Sequence, residues 1–325
     1  MKPNLKDIAA RAGVSVATVS YALNGQEGVS EATRQRILAI AASLNYTPHL
    51  SAQILATRTS KLVCALVDSY QADVTTQLIA RIEAAFIQTG YQLLVTDRLV
   101  PELLRSDLFD GLIVLDLTLD ATRQAEILAL GLPTVFLAGT AAGPGACVVG
   151  DNVGGMKLAW QAMQASVHRR LCVLAGRRAS VNSAQRLNTL RATFEDAFPQ
   201  TNFDARVVPA DFSITQAYDV SHTLVKQYDA FICLNDAMAL GVYRAAFEAG
   251  LRVGQDLSVI GFDNLLAGAY ALPGLTTIGF DPTAWANTVL AVYEAVRLAP
   301  RGAQDGQHRL IPATLIDRHS IRKRD

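Results

Sequence analysis

From about Lys61 onward the chain alternates between two rhythms, and that alternation restricts its fold more than any other feature. Runs such as "LVCALVD", "YQLLVTD", "GLIVLD", "PTVFLAG", "RLCVLAG", "ARVVPAD", "AFICLND" and "LSVIGFDN" read as strands. Helical stretches separate them at 76–89, near 101–106, and at 121–130, 154–166, 184–197, 213–227 and 237–249. Strands that are continuously Val, Ile and Leu are buried on both faces, and with helices between them they form a parallel sheet covered on both sides. There are more such units than the five or six strands of one compact sheet, so the predicted fold is α/β with two doubly wound parallel-sheet subdomains. Ligands of such sheets bind beyond the carboxyl ends of the strands. Here those ends carry Asp68, Asn235-Asp236 and Asp263-Asn264.

The first 60 residues follow a helical pattern instead. Leu5, Ile8, Ala9 and Ala12 share one face of a first helix, and Gly13 permits a tight turn after it. Ser15 is suited to cap a second helix, because its hydroxyl can accept an orphan N–H of the first turn. Over 15–23, Val19 and Leu23 have the i, i+4 spacing of a core-facing stripe. Val16, Ala17, Ser20, Tyr21 and Asn24 then fall on the outer face. Asn24-Gly25 ends that helix, and Ser30 caps a third whose buried face is Ile37, Ile40, Ala41 and Leu44. Pro48 breaks the pattern before a brief helical piece at 50–56 and a polar connector.

Helix, glycine turn, helix at this spacing is a helix-turn-helix, whose second helix lies in the DNA major groove. The outer face would then meet base edges rather than water. Val16 and Ala17 can pack on thymine methyl groups, and Tyr21 can reach a base edge or a phosphate. Spacing alone also allows a plain helical hairpin that buries these residues against the body. Charge favours DNA: residues 1–60 carry six basic and three acidic side chains, a net of +3. The remainder has 23 basic and 26 acidic, so the whole chain is neutral. A basic head on a slightly acidic body fits an anionic partner for the head alone.

The same sequence argues against several other classes. At 325 residues, half hydrophobic and 18% charged, the chain has room for two or three domains with real cores. No apolar run approaches the roughly 18 to 20 residues that span a bilayer. The start, "MKPNLKDIAARAG", is no signal peptide, so a cytoplasmic, nucleoid-associated protein is expected. Cys64, Cys147, Cys172 and Cys233 lie far apart, mostly in strand-like runs, with no CxxC pair. Buried reduced thiols are predicted, with no metal and no other cofactor. An enzyme would need a motif that is not found: no G-x-S-x-G elbow, no P-loop and no G-x-G-x-x-G after a strand. "GDNVGG" and "AAGPGA" are loop glycines, and His49, His168, His222, His308 and His319 lie far apart in no ligand motif. No catalytic residue is predicted. A free-standing solute-binding protein would share the body fold but would carry a signal peptide and lack the first 60 residues.

"LKDIAARAGVSVATVSYALNG", "VSEATRQRIL", "ASLNYTPHLSAQIL", "NDAMALGVYRAAFEAGLRVGQDLSVIGFDN" and "PGLTTI" occur in this order, and over essentially the whole chain the sequence resembles the lactose-repressor/galactose-repressor (LacI/GalR) family of bacterial transcription regulators. The resemblance implies a repressor, most often of a carbohydrate-use operon, whose operator affinity a small effector controls. It implies a helix-turn-helix domain at 1–48, a hinge helix and linker at 49–60, and a periplasmic-binding-protein-like body at 61–325. Within the body, one subdomain would comprise about 61–166 and 280–309, and the other about 167–279 and 310–325, with three crossings between them. The partners implied are double-stranded operator DNA, a sugar or sugar derivative, and a second copy of the chain. The ending "TLIDRHSIRKRD" contains no tetramerising heptad run, so a homodimer is preferred.

Matching residue by residue, Val16, Ala17 and Tyr21 correspond to base-reading positions, and Ser15, Thr18, Ser20, Asn24 and Thr33 to phosphate or helix-start positions. Leu55 matches the hinge residue that wedges into the minor groove, and Ala52 the small residue that lets paired hinges approach. Ser69, Arg186, Phe212, Asn235 and Asp263 are the effector-binding candidates. Three departures stand out. Tyr21 occupies a position that is often Arg in relatives, so an Arg-to-guanine contact does not transfer. "DSYQADVTT" replaces the family's "D-x-x-N-P-F-F"-like segment, and Ala184 stands where most relatives place an Arg that grips effector hydroxyls. These last two argue against an ordinary monosaccharide site.

Overall fold

The structure is a computed structural model that describes residues 3–46, 54, 59–69, 73–98, 100–106, 108–115, 119–139, 145–299 and 307–323. Its chain divides into two compact units, Met1–Lys61 with Ser106–Asp110, and Leu62–Arg105 with Gly111–Asp325.

The first unit is a three-helix head: α1 (Leu5–Ala12), α2 (Val16–Leu23) and α3 (Glu31–Ser43). Each helix begins on a side-chain cap. Asn4 accepts from Lys6 N and Asp7 N while Asp7 returns a bond to Asn4 N, which makes a capping box. Ser15 accepts from Thr18 N at 3.0 Å, and Ser30 from Thr33 N at 3.3 Å. Gly13 closes α1 at φ 62°, the left-handed conformation that a residue without a Cβ adopts freely. Ile8, Ala9, Ala12, Val19, Ala22, Ile37 and Ala41 form the buried core. Leu23, Ile40 and Leu44 pack around it half-buried, so the inward stripe of α2 is Val19 and Ala22, with Leu23 beside it. Asp110 collects the end of this unit: its carboxylate accepts from Ser60 N at 2.8 Å, Ser60 Oγ at 2.9 Å, Lys61 N at 3.1 Å and Thr59 Oγ1.

The second unit holds two six-stranded sheets. Strands β1 (Leu62–Val67), β2 (Gln92–Thr96), β3 (Gly111–Leu115), β4 (Thr134–Phe136) and β5 (Ala146–Gly150) join β11 (His308–Ile311) in the order β11-β5-β4-β3-β1-β2, all parallel. Strands β6 (Leu171–Ala175), β7 (Val207–Pro209), β8 (Ala230–Cys233), β9 (Ser258–Phe262) and β10 (Thr276–Gly279) join β12 (Thr314–Ile316) in the order β12-β10-β9-β8-β6-β7. Among the described strands only β12 runs antiparallel to its neighbour. The chain passes between the sheets after β5, after β10 and between β11 and β12.

Strands β3, β5, β6 and β9 are buried along their whole length, as expected of central strands covered on both faces. The covering helices include α4 (Asp73–Ile87), α5 (Pro101–Leu104), α6 (Ala121–Leu128), α7 (Asn152–Gln164), α8 (Val181–Ala197), α9 (Ile214–Leu224), α10 (Asp236–Glu248), α11 (Leu266–Ala269) and α12 (Pro282–Leu298). The alternation read from sequence located the helices from α4 to α10 but gave no separate signal for α12. That helix buries Trp285, Ala286, Val289, Val292, Tyr293 and Val296 against the first sheet and its neighbour α4. All four cysteines are buried free thiols, and burial pushes Cys64 up to about 11 and Cys172 to about 12.

Candidate functional site

A cavity of about 610 Å³ opens where the carboxyl ends of the two sheets face each other. Its walls follow from the topology, because a parallel sheet brings successive strand ends to one edge. Asp68 and Ser69 follow β1, Leu115 ends β3, and Leu137 follows β4. From the second sheet, Arg177 follows β6, Asp211 and Phe212 follow β7, Asn235 follows β8, and Asp263-Asn264 follows β9. Phe280, Pro282 and Trp285 complete an apolar wall with Val74 and Leu78. All five effector candidates, Ser69, Arg186, Phe212, Asn235 and Asp263, therefore line one space.

At its polar end lies an ion pair. Arg186 Nη1 stands 3.2 Å from Asp263 Oδ1, with side-chain exposures of 6% and 10%. So little exposure removes the solvent screening that makes most surface pairs weak. Arg186 Nη1 also donates to Leu234 O at 2.6 Å and Nε to Asn152 Oδ1 at 2.8 Å, and the guanidinium lies 3.6 Å over the Phe262 ring. Burial pushes the Asp263 carboxyl up, and the Arg186 charge opposes that shift. A guanidinium does not give up its proton in a protein, and its charge favours the ionised form of the Asp263 carboxyl. Asp263 has φ 104° and Asn264 φ 54°, a strained turn of the kind held at ligand sites. Asp263 is thus shielded from solvent, and it caps no helix, since the next one begins on Leu265.

Asn235 does cap a helix. Its Oδ1 accepts from Met238 N at 2.9 Å, while Nδ2 faces the cavity loop and donates to Phe212 O at 3.4 Å. Phe212 (φ 59°) folds its ring onto Gly176, where a Cβ would lie 2.2 Å from Phe212 Cζ. The neighbouring Asp236 turns inward, fully buried, and accepts from Thr277 Oγ1 at 2.6 Å and Leu265 N at 2.7 Å. Burial raises its carboxyl to about 8. Arg177, 3.7 Å from Asp68, also lines the cavity, as does Asn182. Asn152 bridges Asn182 and Gln185 through Nδ2. The sequence singled out none of these three. Arg177 sits two positions past a strand end, a signal that was available; Asn152 and Asn182 are brought in by helix packing alone.

On the head, α2 presents the outer face expected of it. Val16 is 40% and Tyr21 47% exposed, and Ala17 is exposed beside them. Ser15 and Thr18 share a hydrogen bond at the start of α2, as Ser30 and Thr33 do at the start of α3. Asn24 Nδ2 donates to Ser20 Oγ at 3.3 Å at the other end of α2. The expected hinge, with Ala52 and Leu55, lies outside the described residues.

The model for "Bacterial regulatory proteins, lacI family" matches residues 4–49, and that for a "Periplasmic binding protein-like domain" matches 161–321. The ribose operon repressor of Bacillus subtilis is 31% identical over 335 aligned positions, covering 99% of this chain and 99% of its own. This chain belongs to the lacI family of bacterial regulatory proteins. The HTH-type transcriptional repressor PurR of Haemophilus influenzae is 30% identical over 288 residues, 84% of this chain and 85% of its own. A crystal structure of the Lac repressor dimer bound to operator and the anti-inducer ONPF superimposes with a TM-score of 0.86 at 27% identity, over 98% of this chain and 99% of that one. This member of the lacI family is a DNA-binding transcriptional regulator, a helix-turn-helix head on a periplasmic-binding-protein-like body. Among its described residues no helix is long and apolar enough to cross a membrane.

Proposed function

We propose that this regulator is a homodimeric repressor of a carbohydrate-use operon, acting in the cytoplasm on chromosomal DNA and answering to an uncharged, hydroxyl-rich effector. It performs no catalysis. The observation that carries the effector's chemistry is the buried Arg186–Asp263 pair at the polar end of the cavity. A guanidinium held beside a carboxylate offers a donor and an acceptor side by side, the complement of two neighbouring hydroxyls. Among the described lining residues both guanidiniums already face a carboxylate, Arg186 to Asp263 and Arg177 to Asp68, so neither is a spare cation for a phosphate ester. Ser69 and Asn235 add polar contacts, and Phe212 offers a ring for a sugar face to stack on.

In this reading the head comprises residues 1–48, the hinge and linker 49–60 and the body 61–325, with subdomains of about 61–166 plus 280–309 and about 167–279 plus 310–325. Val16, Ala17 and Tyr21 read bases; Ser15, Thr18, Ser20, Asn24 and Thr33 hold phosphates or start helices; Ala52 and Leu55 form the hinge in the minor groove. The relatives named as ribose operon repressor and as a Lac repressor bound to operator support it. A melting-temperature screen of sugars, polyols, sugar phosphates and nucleobases tests it. A neutral sugar or polyol at a hundred times its Kd adds about 2.7 kcal/mol to the folded state, a shift that is easy to read. If only phosphate esters or nucleobases protect the protein, the effector class is wrong. If a bound sugar leaves retardation of DNA from upstream of the gene unaltered, the coupling is wrong.

A further inference from the structure

The last carbonyls of a helix have no partner within it and carry the negative end of its dipole. In α2 those carbonyls lie next to Tyr21, and α2 has no basic residue in its own last turn. The cation comes from elsewhere. Arg34, on α3, donates Nη1 to Ala22 O at 2.9 Å and to Tyr21 O at 3.5 Å, and Nη2 to Gln26 O at 2.7 Å. Its Nε lies 3.8 Å from Glu31. One planar group thus ties the final turn of α2 to the loop beyond it and both to α3, using two separate nitrogens in a fixed fork.

We propose that Arg34 is a positioning residue for base selection, not a phosphate anchor: it fixes the carboxyl-terminal end of α2 and so sets the angle at which Tyr21 meets its base pair. The proposal rests on the reading of Tyr21 as a base contact. The opposite end of α2 is held independently by the Ser15 cap, so Val16 and Ala17 keep their placement when Arg34 is changed. Loss of the clamp therefore blurs one part of each half-site and leaves the rest sharp. A phosphate anchor behaves differently: its loss weakens every sequence alike and lowers the slope of log K against log salt by about one.

The test selects binding sites from a random duplex library with full-length parent, Tyr21→Ala, Arg34→Met, Arg34→Lys and Arg36→Met. Tyr21→Ala identifies the base pair that Tyr21 reads; if it alters none, the reading of Tyr21 fails and the role proposed for Arg34 falls with it. Arg36, exposed on the same helix, controls for loss of one positive charge. Arg34→Met is expected to lose at least tenfold in preference at the Tyr21 base pair, with preferences assigned to Val16 and Ala17 retained. Its salt slope on random duplex should match that of Arg36→Met. Arg34→Lys keeps the charge but serves the carbonyls from one nitrogen, and should lose part of the same preference. It also decides the matter if Arg34→Met shows reduced helicity by circular dichroism. Parental preference at the Tyr21 base pair in Arg34→Lys, or in a folded Arg34→Met with a reduced salt slope, overturns the proposal.

Discussion

Asp236 opens α10 with its carboxyl turned away from the cavity, and burial raises that carboxyl to about 8. An unfolded aspartate titrates at about 3.9. Below that pH both states hold the proton. As pH rises from there the unfolded chain releases it while the folded chain keeps it, so stability falls until about pH 8 and then levels off. Asp236→Asn removes this group's contribution at the expense of one acceptor toward Thr277 or Leu265. The melting temperature of the variant should therefore change less between pH 5 and pH 9 than the parent's, and an equal change in both would refute the argument. The Arg186–Asp263 pair makes a second demand. Arg186→Met leaves a buried carboxylate without its cation and should cost about 3–5 kcal/mol in urea denaturation. The double variant Arg186→Met/Asp263→Asn should recover part of that stability without recovering sugar binding. If it recovers both, the pair is structural and the effector is held elsewhere.

Among the elements, α2 shows most plainly how one helix divides its faces. Val19 and Ala22 are buried against α1 and α3, while Val16 and Tyr21 stay exposed on the same eight residues. An exposed Val beside an exposed Ala gains nothing from water, but in the proposed reading it would gain a contact from a thymine methyl group. Replacing Val16 or Ala17 with Ser or Asn should shift preference at one or two base pairs per half-site by about 1–3 kcal/mol, read by competition binding with single-base variants. An unchanged consensus would mean that this face does not read bases. The two sheets show a second device. Phe280 packs edge-on to Trp285 at 5.1 Å and tilted to Phe262 at 5.7 Å, touching the cores of both sheets. Gly150, where the chain first leaves β5, lies under that ring, and a Cβ there would come within 2.4 Å of Phe280 Cζ. Gly150→Ala should destabilise by about 1–3 kcal/mol through overpacking and weaken effector binding, measured by urea midpoint and calorimetry. Full effector affinity in that variant would show that the Phe280 ring is not coupled to the cavity.

For the whole molecule, the question is how a ligand in the body alters a head that reads DNA. The hinge stretch "LSAQILA" is seven residues long, too short to be a stable helix alone in water. If this stretch is the hinge proposed above, its folding would draw on the partner chain and the minor groove, and would respond to whatever sets the distance between the two chains at Ser60. Asp110 fixes that end by holding residues 59–61 through four donors. On that proposal, an effector that binds one arrangement better than another would shift the population of paired hinges without touching DNA. Leu55→Ala should then lose most discrimination between operator and random duplex while keeping affinity for random duplex and for effector. A ratio equal to the parent's would place the wedge elsewhere.

Much of this was legible in the sequence, because it depends on local rules. The runs of Val, Ile and Leu demanded parallel strands covered on both faces, and Ser15, Ser30 and Gly13 marked helix ends by chemistry that acts within three or four residues. The topology of such sheets also predicts that strand ends converge, which puts Asp68, Asn235 and Asp263 at one edge, while a role in effector binding for Asn235 and Asp263 is what the family resemblance implies. What the sequence left open was decided by packing between distant segments. Whether Asp263 faces solvent or Arg186 depends on a helix 77 positions earlier in the chain. Whether Asn235 or Asp236 meets the cavity depends on the rotation of one strand end, which Thr277 and Leu265 fix. Arg34 reads from sequence as one more basic residue on an exposed helix, a candidate for phosphate. Only the folded head brings its guanidinium to the carbonyls of another helix, since those acceptors converge only after α2 and α3 have packed on Val19, Ala22 and Ile37.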